Sequence, residues 1–158
     1  MLILPPSVVS GLRRQALDSY PAECCGLLFA PKGTLAISRF EPLDNLADRL
    51  HALDPVEYPR TSRDYFAVNG AKMLKSVRAA EAIGEHWACF YHSHIDCGAY
   101  FSAEDKRYWA PDGVPAYPEP IQLVLDCQAD RMVEGRSFRW DGQDFAPCGH
   151  HLEFAGTR

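Results

Sequence analysis

No apolar run in this chain approaches the roughly 20 residues needed to cross a bilayer, so nothing in it reads as a membrane span. The opening residues, M-L-I-L-P-P-S, lack the basic start and apolar core of a secretory signal. They read as a short strand or arm stopped by Pro5 and Pro6. Basic charge is scarce too: 16 Lys and Arg stand against 21 Asp and Glu, a net charge of -5. Nucleic acid and anionic membranes both call for a basic face, so neither is the expected partner. No G-x-S-x-G marks a serine hydrolase and no G-x-x-x-x-G-K marks a phosphate loop. The paired H-x-E and P-C-x-x-C of zinc nucleobase deaminases is absent. So is any C-x-x-C, which removes zinc ribbons and thioredoxin-type redox sites.

What is present is an ordinary globular composition, 47% hydrophobic and 23% charged over 158 residues. That length supports one domain with a core that needs no disulfides. The six cysteines are irregularly spaced and accompany no export signal. They read as small core residues of a reduced, cytoplasmic protein. Residues 1–148 form the expected domain and 149–158 a C-terminal tail, with His150 and His151 as exposed tail residues.

Apolar spacing predicts a helix from Pro6 to Tyr20, with Val8, Leu12 and Ala16 or Leu17 on one face. Strands at 25–30 and 34–40 around Pro31-Lys32-Gly33 predict a hairpin. Residues 41–62 read as a long connection with a helical piece near 44–51, and 64–68 as a strand. Asn69 caps a long helix closed by Gly84, with Met73, Val77 and Ala80 as core. A strand at 87–92, a helix near 102–109, a Pro-rich loop at 111–120, a buried strand at 121–127 and a final hairpin about Asp141-Gly142 complete the chain. The order predicts a mixed sheet flanked by helices in one α/β domain.

The chain is organised around 87–108, W-A-C-F-Y-H-S-H-I-D-C-G-A-Y-F-S-A-E-D-K-R-Y. Alternation along the strand points His92 and His94 to one side and Ser93 away. Two imidazoles at a strand end, with Asp105 one turn into the next helix, could hold a metal and leave a fourth position for water. H-x-H alone is weak, and S-x-x-D is equally a capping box, with Ser102 as N-cap and Asp105 returning to the backbone. Those two readings compete for Asp105.

The full string H-S-H-x7-S-x2-D resembles the signature of the JAMM metalloproteases, also called the MPN-plus or JAB family. Upstream, P-A-E-C-C-G-L-L at 21–28 resembles the context in which that family places its catalytic glutamate. The resemblance covers the chain from the first helix to about Phe145. It implies the MPN fold, similar to cytidine deaminases, with one zinc ion per chain on His92, His94 and Asp105. Glu23 is implied as general base and then acid, in preference to Glu41, Glu57 or Glu85, and Ser102 as the stabiliser of the oxyanion. Two residues depart from the pattern of many bacterial relatives: Ile95 stands where proline is common, and Cys97 lies between the ligand groups. That thiol could pair with the metal or oxidise, although a free loop thiol is the simpler reading.

The implied activity is hydrolysis after the terminal glycine of a ubiquitin-like or sulfur-carrier protein, releasing a conjugate, a cysteine or another extension. A groove walled by 41–62 and 95–101 would take the extended tail, by strand addition against a sheet edge. A homodimer is compatible with the chain. The alternatives are a non-catalytic MPN scaffold, which would have lost ligands, and a cysteine hydrolase pairing Cys24, Cys25 or Cys97 with His92.

Overall fold

The protein's structure is a computed structural model that describes residues 1–154. The elements run α1 Pro6–Ser19, β1 Cys25–Pro31, β2 Arg39–Leu43, α2 Ala47–Leu53, α3 Gly70–Ala82, β3 Glu85–Ile95, α4 Ala103–Trp109, β4 Ile121–Cys127, β5 Met132–Trp140 and β6 Phe145–Glu153. Six strands form one mixed sheet in the order β2-β1-β3-β4-β5-β6. Only β3 and β4 pair in parallel. They are joined through α4, a crossover that leaves the carboxyl end of β3 open, where ligand sites form in such sheets.

Both faces of the central strands are covered, which explains their unbroken apolar runs. On one face Val8, Leu12 and Ala16 of α1 pack with Leu28, Tyr91, Leu123 and Leu125. On the other, Met73 and Ala80 of α3, Trp109 of α4 and Phe66 pack with Leu27, Phe90 and Val124. The helices begin where the residues dictate: Pro6 occupies the first turn of α1, and the Asn69 side chain accepts the Lys72 N–H at the start of α3. Gly84, at φ 82°, ends that helix and feeds β3.

Three expectations need correction. The hairpin partner of β1 is Arg39–Leu43 rather than 34–40, because Ile37 and Leu35 exchange backbone bonds with Ile3 of the N-terminal arm. Residues 64–68 are not a strand. Their backbone bonds go to the Asn45 and Tyr108 side chains and to Leu46, and the apolar run is buried as an aromatic plug instead. The segment from Gly149 is not all tail, since β6 continues to Glu153 on the edge of β5. Residues 155–158 of the expected tail, and the side chains of His150 and His151, lie outside the described residues.

Gly26 sits where β1 is squeezed between strands. A Cβ there would stand 2.4 Å from both the Glu41 carbonyl and the Tyr91 hydroxyl. Gly26→Ala is expected to cost on the order of 2 kcal/mol or more, read from the urea unfolding midpoint; an unchanged midpoint would contradict the packing described.

Candidate metal centre

The site begins with the end of the β1–β3 ladder. Cys25 pairs with His92, and the next step is closed by Ser93 N–H donating to the Cys24 carbonyl at 2.9 Å. The Cys24 N–H does not return to a carbonyl; it donates to Ser93 Oγ at 2.8 Å. Ser93, turned from the histidines as alternation requires, thus closes the ladder with its side chain. Glu23 immediately precedes this closed step, and its carboxyl is near enough to Asp105 to feel that residue's charge.

Glu23 is held from behind by the long connection. Its N–H donates to the Ser62 carbonyl at 2.7 Å, and its carbonyl accepts from Asn45 Nδ2 at 3.0 Å. Asn45 also bonds Tyr65, Ala47 and Ala67. Asp48 in turn accepts both the N–H and the hydroxyl of Ser62. Glu23 is only 5% exposed. Burial, reinforced by the charges of Asp105 and Asp64, pushes its carboxyl up from 4.5 to about 9.

His92 Nε2, His94 Nε2 and the Asp105 carboxylate converge. The two nitrogens are 3.2 Å apart, His92 Nε2 lies 3.2 Å from Oδ1 and His94 Nε2 lies 3.3 Å from Oδ2. Donors about 2.0–2.1 Å from a tetrahedral zinc are spaced about 3.3 Å from one another, so this triangle fits the ion. All three residues are buried, and lone pairs crowded together away from water require a cation or protons between them.

Each ligand is oriented by its surroundings. His94 Nδ1 bonds the Gly98 carbonyl at 3.0 Å, which puts the proton on Nδ1 and frees Nε2. Asp126, aligned with His94 on β4, anchors Gly98 by accepting its N–H at 3.2 Å. Positive φ at Asp96 and Gly98 bends the loop back, and Tyr20 fastens it by donating to Asp96 Oδ2 at 2.7 Å. The Phe66 ring lies 4.6 Å from the His92 imidazole. Burial holds His92 towards its neutral form. Burial alone would raise Asp105, but the two imidazoles beside it favour the ionised carboxylate and hold it well below its usual range.

The capping box forms, and it leaves the Asp105 carboxylate facing the imidazoles. Ser102 N–H donates to Asp105 Oδ2 at 2.8 Å and Ser102 Oγ accepts the Asp105 N–H at 3.0 Å. The cap is what aims the carboxylate at the imidazoles. Ser102 itself is half-buried beside the group. Glu85 lies at the far end of β3, bonded to Ser38 and Arg39, and Glu41 is taken by Ser76 and Arg39. The cysteines do not form a nucleophilic centre: all six are free, and burial pushes Cys24 up to about 12 and also raises Cys25 and Cys97. Cys97 is exposed and is not among the converging ligand atoms.

Asn45, Ser93, Asp126, Phe66 and Tyr100 escaped the sequence reading. Asp126 carried a signal, as an acid within the otherwise apolar stretch I-Q-L-V-L-D-C. Asn45 carried none, because its partners are distant in sequence.

The fold and a buried two-histidine, one-carboxylate group at the end of a parallel strand define a domain of the JAB type. A family model described as prokaryotic homologs of the JAB domain matches residues 5–141, and the chain belongs to that family. It is 29% identical over 139 residues to a CysO-cysteine peptidase of Mycobacterium tuberculosis, covering 88% of this chain and 82% of that protein. It is 24% identical to a desampylase of Haloferax volcanii, covering 88% and 84%. In fold it resembles a protein from Desulfitobacterium hafniense solved in solution, with a TM-score of 0.66 and 22% identity over 94% of this chain and 90% of that one.

A carboxyl raised from 4.5 to about 9 binds its proton more tightly folded than unfolded. Its contribution to stability is full below about pH 4.5 and is lost as pH rises through about 9. Asp105 acts oppositely, but only at the acid end, where falling pH removes its contribution. Chelator-treated protein is therefore expected to lose stability between about pH 5 and pH 8. Glu23→Gln should remove much of that slope and gain roughly 1–3 kcal/mol at the upper pH. Thermal unfolding at both pH values checks this; identical slopes would refute it.

Proposed function

We propose that this chain is a zinc-dependent hydrolase, one ion per chain, that cleaves the amide or isopeptide bond after the C-terminal glycine of a ubiquitin-like or sulfur-carrier protein. The observation that carries the reading is the triangle of His92, His94 and Asp105 atoms at 3.2–3.3 Å, with the buried Glu23 carboxyl close enough to feel the charge of Asp105. Family membership and relatives named peptidase and desampylase support hydrolysis and the class of protein partner. A bound zinc ion would supply an acidified water and polarisation of the scissile carbonyl.

The chain's own residues do the rest. Glu23 takes the water's proton and delivers it to the leaving nitrogen as the C–N bond breaks. Water is thereby added across one amide, giving a glycine carboxylate on the carrier and a free amine on the departing group. A buried carboxyl with a high proton affinity suits the second half of that cycle, and an adjacent cation would favour its ionised form for the first. Ser102 stands ready to donate its hydroxyl to the oxygen on which negative charge develops. Asp126, through Gly98, keeps His94 in the required tautomer. Residues 41–62 wall the Glu23 side and 95–101 the His94 side. The state of the cysteines suits the reducing cytosol, and no helix among the described residues is long and apolar enough to cross a membrane.

Chelation should abolish cleavage of a glycine-terminated carrier bearing a C-terminal extension, whereas alkylation of the exposed Cys97 should not. Glu23→Gln should retain stoichiometric zinc yet lose roughly 10²–10⁴-fold in kcat, while His92→Ala should lose the metal. Masses of the carrier and metal content of the protein read these outcomes; activity in fully zinc-free protein would overturn the proposal.

A further inference from the structure

The metal face of the sheet continues beyond the histidines. His92 aligns with Val124 on β4, and Val124 with Arg136 on β5. Arg136 therefore rises from the same face, two interstrand spacings or about 10 Å from His92. A cleft of about 450 Å³ lies there, with Ala99 and Tyr100 of the metal loop on one wall, and Phe138, Pro147 and Gly149 of the outer hairpin on the other. Tyr100, which lines the cleft, has its ring 4.9 Å from that of His94 and so joins the cleft to the His92, His94 and Asp105 group.

Arg136 is the one charged side chain lining it among the described residues. Glu134 holds Nη2 at 3.2 Å, but the Arg136 side chain is 53% exposed, and a guanidinium has five N–H donors, more than one carboxylate uses. The opposite flank differs. There Arg60 is held between Asp64 and Glu104, and Arg107 also pairs with Glu104. The site's carboxylates, Glu23, Asp105 and Asp126, would repel an anion unless a cation stood close by.

Resting on the hydrolase reading above, we propose that this cleft receives the leaving group, and that the leaving group is a single amino acid whose free α-carboxylate is bound by Arg136. In a one-residue extension that carboxylate is only two bonds beyond the scissile nitrogen, so its charge must fall within a few ångströms of the cut. A planar, forked guanidinium suits it. A lysine side chain joined to a protein brings no such anion to this place, and its bulk would have to pass the cleft's walls. Arg136 thus selects processing of a short C-terminal extension over removal of a conjugated protein.

The test uses a bacterial sulfur-carrier protein ending in Gly-Gly and extended by one cysteine, prepared as the free acid and as the carboxamide. Wild-type enzyme is expected to cleave the acid at least about 10-fold more efficiently, mainly through KM. Arg136→Gln should shrink the acid-to-amide ratio to near one, and Arg136→Lys should keep part of it. The same ratio is measured as binding to zinc-loaded Glu23→Gln protein, which does not depend on turnover. Equal handling of acid and amide by wild type, or a ratio that Arg136→Gln leaves intact, overturns the proposal. So does an equal loss on both forms, which would place the carrier tail rather than the leaving group in the cleft. If neither form is cut, the hydrolase reading fails for this carrier, and the binding ratio still decides the role of Arg136.

Discussion

The pairing of Cys24 with Ser93 is the constraint on which the site depends. The two peptides are joined by one backbone bond and one bond to a side-chain hydroxyl. Strand alternation then does the placing: with Ser93 committed to the α1 face, its two neighbours must face the other way. A slip of one residue would send both imidazoles into the α1 core. The substitution of Oγ for a carbonyl also ends β1 there, which lets the chain turn off towards Tyr20.

The ligands are buried on the sheet's own face rather than carried by exposed loops. Phe66 against His92, Tyr100 against His94 and the Ser102 cap beneath Asp105 leave each ligand little freedom to turn away. Such crowding is costly without a cation, because imidazole lone pairs and a carboxylate gain little from one another in a dry pocket. Rigid packing on either side of the sheet supplies the compensation. Placement on strand and helix also gives finer geometric control than loops would.

Much of this was readable beforehand, for physical reasons that differ by element. Helices α1 and α3 announced themselves by spacing and by Pro6, Asn69 and Gly84, all local signals. The H-S-H string marked a strand end, and one helical turn brought Asp105 within reach, although only the family resemblance chose between cap and ligand. What stayed hidden was non-local. The segment 64–68 has the residues of a strand, but Phe66 is wanted against His92 and the Asn45 side chain competes for the backbone, so tertiary demand overrode local preference. Residues 34–37 were claimed by Ile3, far away in sequence. Residues 149–153 looked like a tail because G-H-H-L-E carries little strand character, yet the open edge of β5 supplied a partner. For Glu23 local pattern offered nothing; only the family resemblance singled it out.

The sheet's order bears on how a protein substrate can approach. β3 is internal, with two strands on one side and three on the other. As an extra strand, an extended tail could join the sheet only outside β2 or β6, roughly 14 or 19 Å to the side of β3. Alignment along a rim therefore cannot by itself deliver a scissile bond to the histidines. On the hydrolase reading, the incoming chain would instead run crosswise over the tips of the strands, past Glu23 and the 95–101 loop, so that selectivity would be exercised by a gateway at the sheet's end and not by a ladder at its border.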